Sequence, residues 1–287
     1  MSSSEPPGAT RRWRLDLAYD GRGLRGFAPQ TGYDTVVSLL GDALARTLRL
    51  NAPPPLVGAG RTDAGVHAFG QVVHVDLASP LFADERRPEA ERLRASLNSQ
   101  LAGRVRVLAA RPVDGAFHAR FSATWRAYRY LVLETAPPAL ELTRAWSWAV
   151  AGPLDVDAMN RAGRAAVGEH DFRSFCRRPD GSSPDQALTR RVLELTWERR
   201  DDEWTLAPDG ASALRLWIRA TSFCHQMVRS LTSTMVAVGQ GRLGEATIAE
   251  RLATPHRDGL PAPAPAAGLA LVAVGYSDEP TGPADAR

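Results

Sequence analysis

The chain has 287 residues, with 35 basic against 32 acidic side chains and a net charge of +3. Every basic residue is arginine, which excludes Schiff-base, P-loop and kinase-type lysine chemistry. Any bound anion must therefore be met by guanidinium forks or backbone N–H groups.

In chain order, residues 1–10 are polar and rich in Pro, Gly and Ser and read as disordered; they lack the basic and apolar regions of a signal peptide. Trp13 to Tyr19 alternates apolar and polar residues, the pattern of a half-buried strand. Asp34 to Leu50 spaces Val36, Leu39, Leu40, Leu44 and Leu48 as a helix does, with Asp34 or Thr35 as N-cap. A strand over Gly70–Leu77, a helix over Pro88–Leu101 and a strand over Val105–Ala110 follow. These elements make an N-terminal α/β domain over residues 11–111.

The second half, residues 112–276, repeats the layout without a residue-level repeat. Trp125–Glu134 reads as a strand with Tyr128, Tyr130 and Val132 on one face. Asp155–Val167 reads as a helix. Arg190–Glu198 and Ala213–Thr221 read as a hairpin-like pair around the turn-rich Pro208-Asp-Gly. Phe223–Gly239 is a strong helix, ended by Gly239 or Gly241. On that helix His225 and Arg229 would share a face, opposite Met227 and Leu231. Glu245–Ala253 is a short helix, Pro261–Pro265 a stiff extended linker, and Leu269–Gly275 a last strand. The tail from residue 277 reads as disordered. Strands and helices alternate without a regular βα rhythm, so the fold class expected is α+β: two similar α/β halves with mixed, largely antiparallel sheets flanked by helices.

Cys176 and Cys224 give neither a disulfide framework nor metal-ligand spacing; they read as buried or neutral thiols of a reducing compartment. No apolar run approaches the roughly 20 residues a membrane helix needs. A cytoplasmic protein without a membrane partner is expected.

The stretch that carries chemistry is Gly58-Ala-Gly-Arg-Thr-Asp-Ala-Gly-Val-His67. Gly58, Gly60 and Gly65 permit close backbone approach around Arg61, Thr62 and Asp63. In a locally extended loop Arg61 and Asp63, at i and i+2, project to one side, and the guanidinium favours the ionised carboxylate. On composition alone, a surface turn with a structural Arg–Asp ion pair is the better reading.

The string Gly60-Arg-Thr-Asp-Ala-Gly-Val-His67 followed by Gly70-Gln71-Val72 resembles the TruA-type tRNA pseudouridine synthases. Further blocks agree in order: Tyr19-Asp20-Gly21, Phe117-His-Ala-Arg-Phe-Ser-Ala123 with Tyr128-Arg129-Tyr130, His170-Asp171-Phe172, Phe223-Cys-His-Gln-Met-Val-Arg229, and Gly268-Leu269 with Leu271–Val274. The resemblance spans residues 13–276. It implies an isomerase that converts uridine to pseudouridine at positions 38, 39 and 40 of the tRNA anticodon arm. It also implies no cofactor and no metal, a homodimer, and an active-site cleft between the two halves. By alignment, Asp63 is the catalytic aspartate, acting on C1′ or C6 as a nucleophile or abstracting the 2′-proton. Arg61 takes the place of the displaced base and promotes flipping. Tyr128 faces the uracil, Arg229 partners Asp63, and Leu269 packs on the target base.

This chain departs from the family at Gly26-Phe27-Ala28-Pro-Gln30, where Gly-Trp-Gln-x-Gln is usual, at Val36-Val37-Ser38, where Ser-Val-Gln follows, at Gln226 and at Ala270. The first two departures touch segments expected to contact tRNA. From Arg111 to Tyr130 four arginines (Arg111, Arg120, Arg126, Arg129) face one acid, Asp114, a modest lean toward phosphate binding. A non-catalytic RNA-binding protein and a pseudouridine synthase on another RNA are the alternative readings.

Overall fold

The computed structural model describes residues 10–82, 88–135, 145–178, 181, 183, 186–200 and 212–277. The expected disordered ends and the Pro208-Asp-Gly turn lie largely or wholly outside these residues. The chain forms two compact units. One is built from described residues of Met1–Thr124 and Leu271–Gly282, the other from those of Trp125–Ala270.

In the first unit, β1 (Thr10–Tyr19) lies antiparallel between β3 (His67–Ala78) and β4 (Val105–Pro112). The short β2 (Val57–Gly58) pairs with β3, whose other neighbour is β10 (Leu269–Tyr276). Trp13, Leu15 and Leu17, alternate residues of β1, are buried, as their period-two pattern requires. Helix α1 (Val36–Leu48) starts at Thr35, whose hydroxyl accepts from the Ser38 N–H at 3.1 Å while the Ser38 hydroxyl accepts from the Thr35 N–H at 2.8 Å. Such a reciprocal cap satisfies two N–H groups that the first helical turn leaves open. Helix α2 (Glu89–Gln100) buries Leu93 and Leu97; its Asn98 side chain both accepts from and donates to the backbone of Val107 on β4.

The second unit holds an antiparallel sheet in the order β5 (Ala123–Glu134), β9 (Ser212–Ala220), β8 (Thr189–Arg199), β7 (Gly168–Asp171), with β6 (Trp148–Val150) parallel to β5. Among the described residues three helices accompany it: α3 (Val156–Arg164), α4 (Met227–Gly239) and α5 (Thr247–Ala253). Asp155 caps α3 by accepting from the Ala158 N–H at 2.8 Å. Glycine sets how closely α3 and α4 pack. A Cβ on Gly239 would stand 2.6 Å from the Met159 sulfur, and one on Gly163 2.6 Å from a Leu195 methyl. The fold is α+β with a mixed, mainly antiparallel set of strands, as the alternation of elements predicts.

Three local expectations are corrected. The helix read from Phe223 begins at Met227, because Gln226 takes a left-handed conformation (φ 65°) that ends any helical run before it. His225 therefore does not share a helical face with Arg229, although Met227 and Leu231 are buried as expected. Pro261–Pro265 is not a free linker: Ala264 is 1% exposed, and its N–H donates to the Arg229 carbonyl at 3.1 Å. The cysteines are bonded, Cys176 to Cys224, with Cα atoms 5.8 Å apart. A separation of 48 residues hid this pairing. The fold lays the segment after the 3-10 turn Arg173–Phe175 along the turn before α4, where the Arg177 N–H donates to the His225 carbonyl at 2.9 Å. Among the described residues no helix is long and apolar enough to cross a membrane.

Candidate active site

Arg61, Thr62 and Asp63 sit in the connection between β2 and β3, which continues the β2–β3 pairing through an Ala59 N–H to Val72 carbonyl bond of 2.8 Å. The loop closes in a turn, the Val66 N–H donating to the Asp63 carbonyl at 3.1 Å, with Gly65 at φ 82° in the turn's third position. That position demands glycine. The three residues alternate as an extended segment does: Thr62 is buried, while Arg61 is exposed and Asp63 half-buried on the other side.

What holds the loop is a buried polar cluster beneath it. The Tyr19 hydroxyl and the Thr62 Oγ1 share a hydrogen bond of 2.8 Å. Gln71 Nε2 donates to the Tyr19 hydroxyl at 3.3 Å and to the Gly60 carbonyl at 2.9 Å. Gln71 is fully buried, and burial pushes the Tyr19 phenol up to about 12, so it stays protonated at any physiological pH.

The segment 20–27 forms the loop's second wall. A Cβ on Gly21 would lie 2.2 Å from the Val66 carbonyl oxygen, so only glycine permits the approach. The Gly21 N–H donates to His67 Nδ1 at 3.1 Å, and the Phe27 N–H to the Thr62 carbonyl at 3.1 Å. The Phe27 ring occupies the place a Cβ of Gly58 would take, 2.3 Å from its nearest carbon, and Phe27 is 4% exposed. The departure at Phe27 is thus a change under the loop rather than at a surface. Asp20 is held below the ordinary carboxylate range. Burial acts against this, but the Arg22 guanidinium, the Arg22 N–H and His67 outweigh it.

In the second unit Tyr128 lies on β5 opposite Ile218 of β9, 9% exposed, its ring edge-on to Phe223 with centroids 5.1 Å apart. Arg229 sits in the first turn of α4 and donates from Nε to the Ala264 carbonyl at 2.6 Å. Leu269 opens β10 and is buried. One segment, 264–269, links Arg229 and Leu269 to β5, the strand that carries Tyr128. Ala264 bonds both ends of Arg229, and Pro265 accepts from the Tyr130 hydroxyl at 2.7 Å. Gly268 lies so close to β5 that a Cβ would meet the Tyr130 ring at 2.6 Å. Arg61 and Asp63 therefore share one loop of the first unit; in the second, Arg229 and Leu269 meet through segment 264–269, which packs on Tyr130, two residues along β5 from Tyr128.

No motif assigns a role to the positioning residues Tyr19 and Gln71. Two signals point to them: both fall inside the motif blocks, and a glutamine inside an apolar strand needs buried partners.

A family model described as tRNA pseudouridine synthase matches residues 162–277. The chain is 39% identical over 269 residues to the tRNA pseudouridine synthase A of Cutibacterium acnes, covering 93% of this chain and 90% of that protein. It is 40% identical over 258 residues to the protein of the same name in Streptomyces griseus, covering 90% and 85%. In Gluconobacter oxydans the match is 36% over 280 residues, covering 97% and 94%.

Proposed function

The chain belongs to the tRNA pseudouridine synthase A family and isomerises uridine to pseudouridine in tRNA, and from that premise we propose that it acts on positions 38, 39 and 40 of the anticodon arm, with Asp63 as its catalytic residue. The observation that carries the assignment is the loop Gly60–His67. Its backbone is anchored from below by Tyr19 and Gln71, so that Arg61 and Asp63 alone of its polar side chains face outward.

The reaction breaks the C1′–N1 bond, turns the uracil and joins C5 to C1′; C5 loses a proton and N1 gains one, so nothing is oxidised and no group leaves. Asp63 acts on C1′ or C6 as a nucleophile, or removes the 2′-proton. Arg61 fills the stack position that the target base vacates, which offsets part of the unstacking cost. Tyr128 presents its ring to the uracil, Leu269 packs on the base, and Arg229 supplies a guanidinium as partner to the catalytic carboxylate. The residues of this chain require no metal or cofactor for these steps. By the same reading the enzyme works in the cytoplasm as a homodimer.

The test is incubation with a tRNA bearing uridines at 38–40, followed by pseudouridine mapping. Wild type modifies these positions; Asp63→Ala binds the tRNA and leaves them as uridine. Equal modification by both proteins would overturn the role of Asp63, and binding without modification by wild type would make the chain an RNA-binding protein.

A further inference from the structure

Among the described residues of the first unit, Phe121 is the most exposed aromatic side chain, ahead of Tyr33 and Phe69, and it stands on a turn that is fastened from several sides. Phe121 is 76% exposed. Single exposed apolar residues are ordinary on protein surfaces and carry no function by themselves. What distinguishes Phe121 is how it is held.

Its ring stacks on His118, centroids 4.5 Å apart and planes 28° from parallel. The His118 ring is itself oriented, because Nδ1 accepts from the N–H groups of Arg120 (3.2 Å) and Phe121 (3.1 Å). The turn's backbone is tied to the sheet at Ala119, which donates to His74 Nδ1 at 3.0 Å and accepts from the Tyr276 hydroxyl at 2.7 Å. The Arg12 guanidinium donates to the carbonyls of Gly115 and Phe117 at the turn's entry. Ser122 closes the turn, its hydroxyl accepting from the His118 N–H at 2.9 Å. A guanidinium stands beside the exposed ring: Arg120 has its central carbon 5.5 Å from the Phe121 centroid. An aromatic face whose rotamer is already set, edged by a cation, suits an unstacked nucleobase and its phosphate, since stacking there costs little side-chain entropy.

We propose that Phe121, backed by His118 and flanked by Arg120, is a stacking platform for an unpaired nucleotide of the tRNA substrate, outside the reacting base. This rests on the reading of the chain as a tRNA enzyme. The platform contributes to binding the RNA and takes no part in the isomerisation.

The experiment compares wild type, Phe121→Ala, Phe121→Leu and Phe121→Trp for tRNA binding and for steady-state pseudouridine formation. Phe121→Ala should weaken Kd and raise KM by about tenfold, within the range that loss of one base–aromatic stack produces, with kcat within twofold. Phe121→Trp should restore binding and Phe121→Leu should not, because leucine replaces the bulk without a π face. Binding by Phe121→Ala equal to wild type would overturn the platform. So would rescue by Phe121→Leu, or a change of oligomeric state in Phe121→Ala on sedimentation, which would make the residue an apolar contact between copies. If wild type neither binds nor modifies tRNA, the functional assignment falls first; if it does both and Phe121→Ala is unaffected, only the platform falls.

Discussion

The Tyr19 hydroxyl stands 2.8 Å from the Thr62 Oγ1, joining the end of β1 to the residue between Arg61 and Asp63. The bond is buried and its neighbour Gln71 holds the same loop at Gly60, so the backbone on either side of Thr62 has little freedom. Tyr19→Phe keeps the ring and removes this bond. The expected cost in stability is about 1 kcal/mol. The expected cost in turnover is larger, about tenfold in kcat with KM within twofold, because a small displacement of the carboxylate proposed to react is expensive. Pre-steady-state single-turnover rates check this. An unchanged kcat alongside the stability loss would make the bond purely structural.

Gly70 is an integral part of the sheet that carries the loop. A Cβ there would lie 2.2 Å from the Val272 carbonyl oxygen, a backbone atom that cannot rotate away. Gly70→Ala must therefore push β10 from β3, and a loss of about 3 kcal/mol or more is expected. Gly115→Ala is the control: nothing lies within 4 Å of its Cβ position, and its effect should stay within about 0.5 kcal/mol. Urea denaturation of the two variants gives the comparison.

Element types were legible in the sequence wherever one apolar period ran unbroken. Leu40 and Leu44 of α1, Leu93 and Leu97 of α2, and Trp13, Leu15 and Leu17 of β1 are buried where their spacing puts them. Apolar periodicity is silent where a single backbone conformation decides. Nothing in Phe223-Cys-His-Gln226 announces that Gln226 turns left-handed and delays the helix to Met227. Proline at 261, 263 and 265 suggested a spacer; the fold instead packs Ala264 between them, with its backbone on Arg229. The loop residues proposed to act, Arg61 and Asp63, lie in one contiguous motif and needed no three-dimensional knowledge to find. Their supports did need it, since Tyr19, Gln71 and Gly21 meet the loop across 43, 11 and 45 residues of chain respectively.

Gly268 gives the second unit its own test. The ring of Tyr130 and the carbonyl of Leu131 would stand 2.6 Å and 2.9 Å from an added Cβ. Gly268→Ala should shift the segment that holds Leu269 and the Ala264 carbonyl of Arg229, lowering stability by about 2 kcal/mol and kcat by at least tenfold. Tyr130→Phe separates the two effects: it removes only the bond to Pro265, and should cost about 1 kcal/mol with turnover near wild type. Thermal melts and kcat measured on both variants decide whether placement of this segment or general stability controls activity.

His74 makes the first unit acid-sensitive. It is 5% exposed and its Nδ1 accepts from the Ala119 N–H, so the native ring must be neutral. Burial above all, then the positive charges of Arg12 and His118, lower its pKa to about 4, against a smaller opposing pull from Asp76. In the unfolded chain the same ring titrates near 6.5. Between these values the unfolded state binds a proton that the native state refuses, so stability is greatest above pH ~6.5 and falls as the pH drops toward about 4, by on the order of 2 kcal/mol after solvent screening is allowed for. Below that the contribution is constant. His74→Gln removes the titration, and its stability should be flatter over this interval than that of wild type, measured by urea denaturation from pH 7 to pH 4. Parallel curves for the two proteins would mean that His74 is protonated in the native state and that the Ala119 N–H has another acceptor.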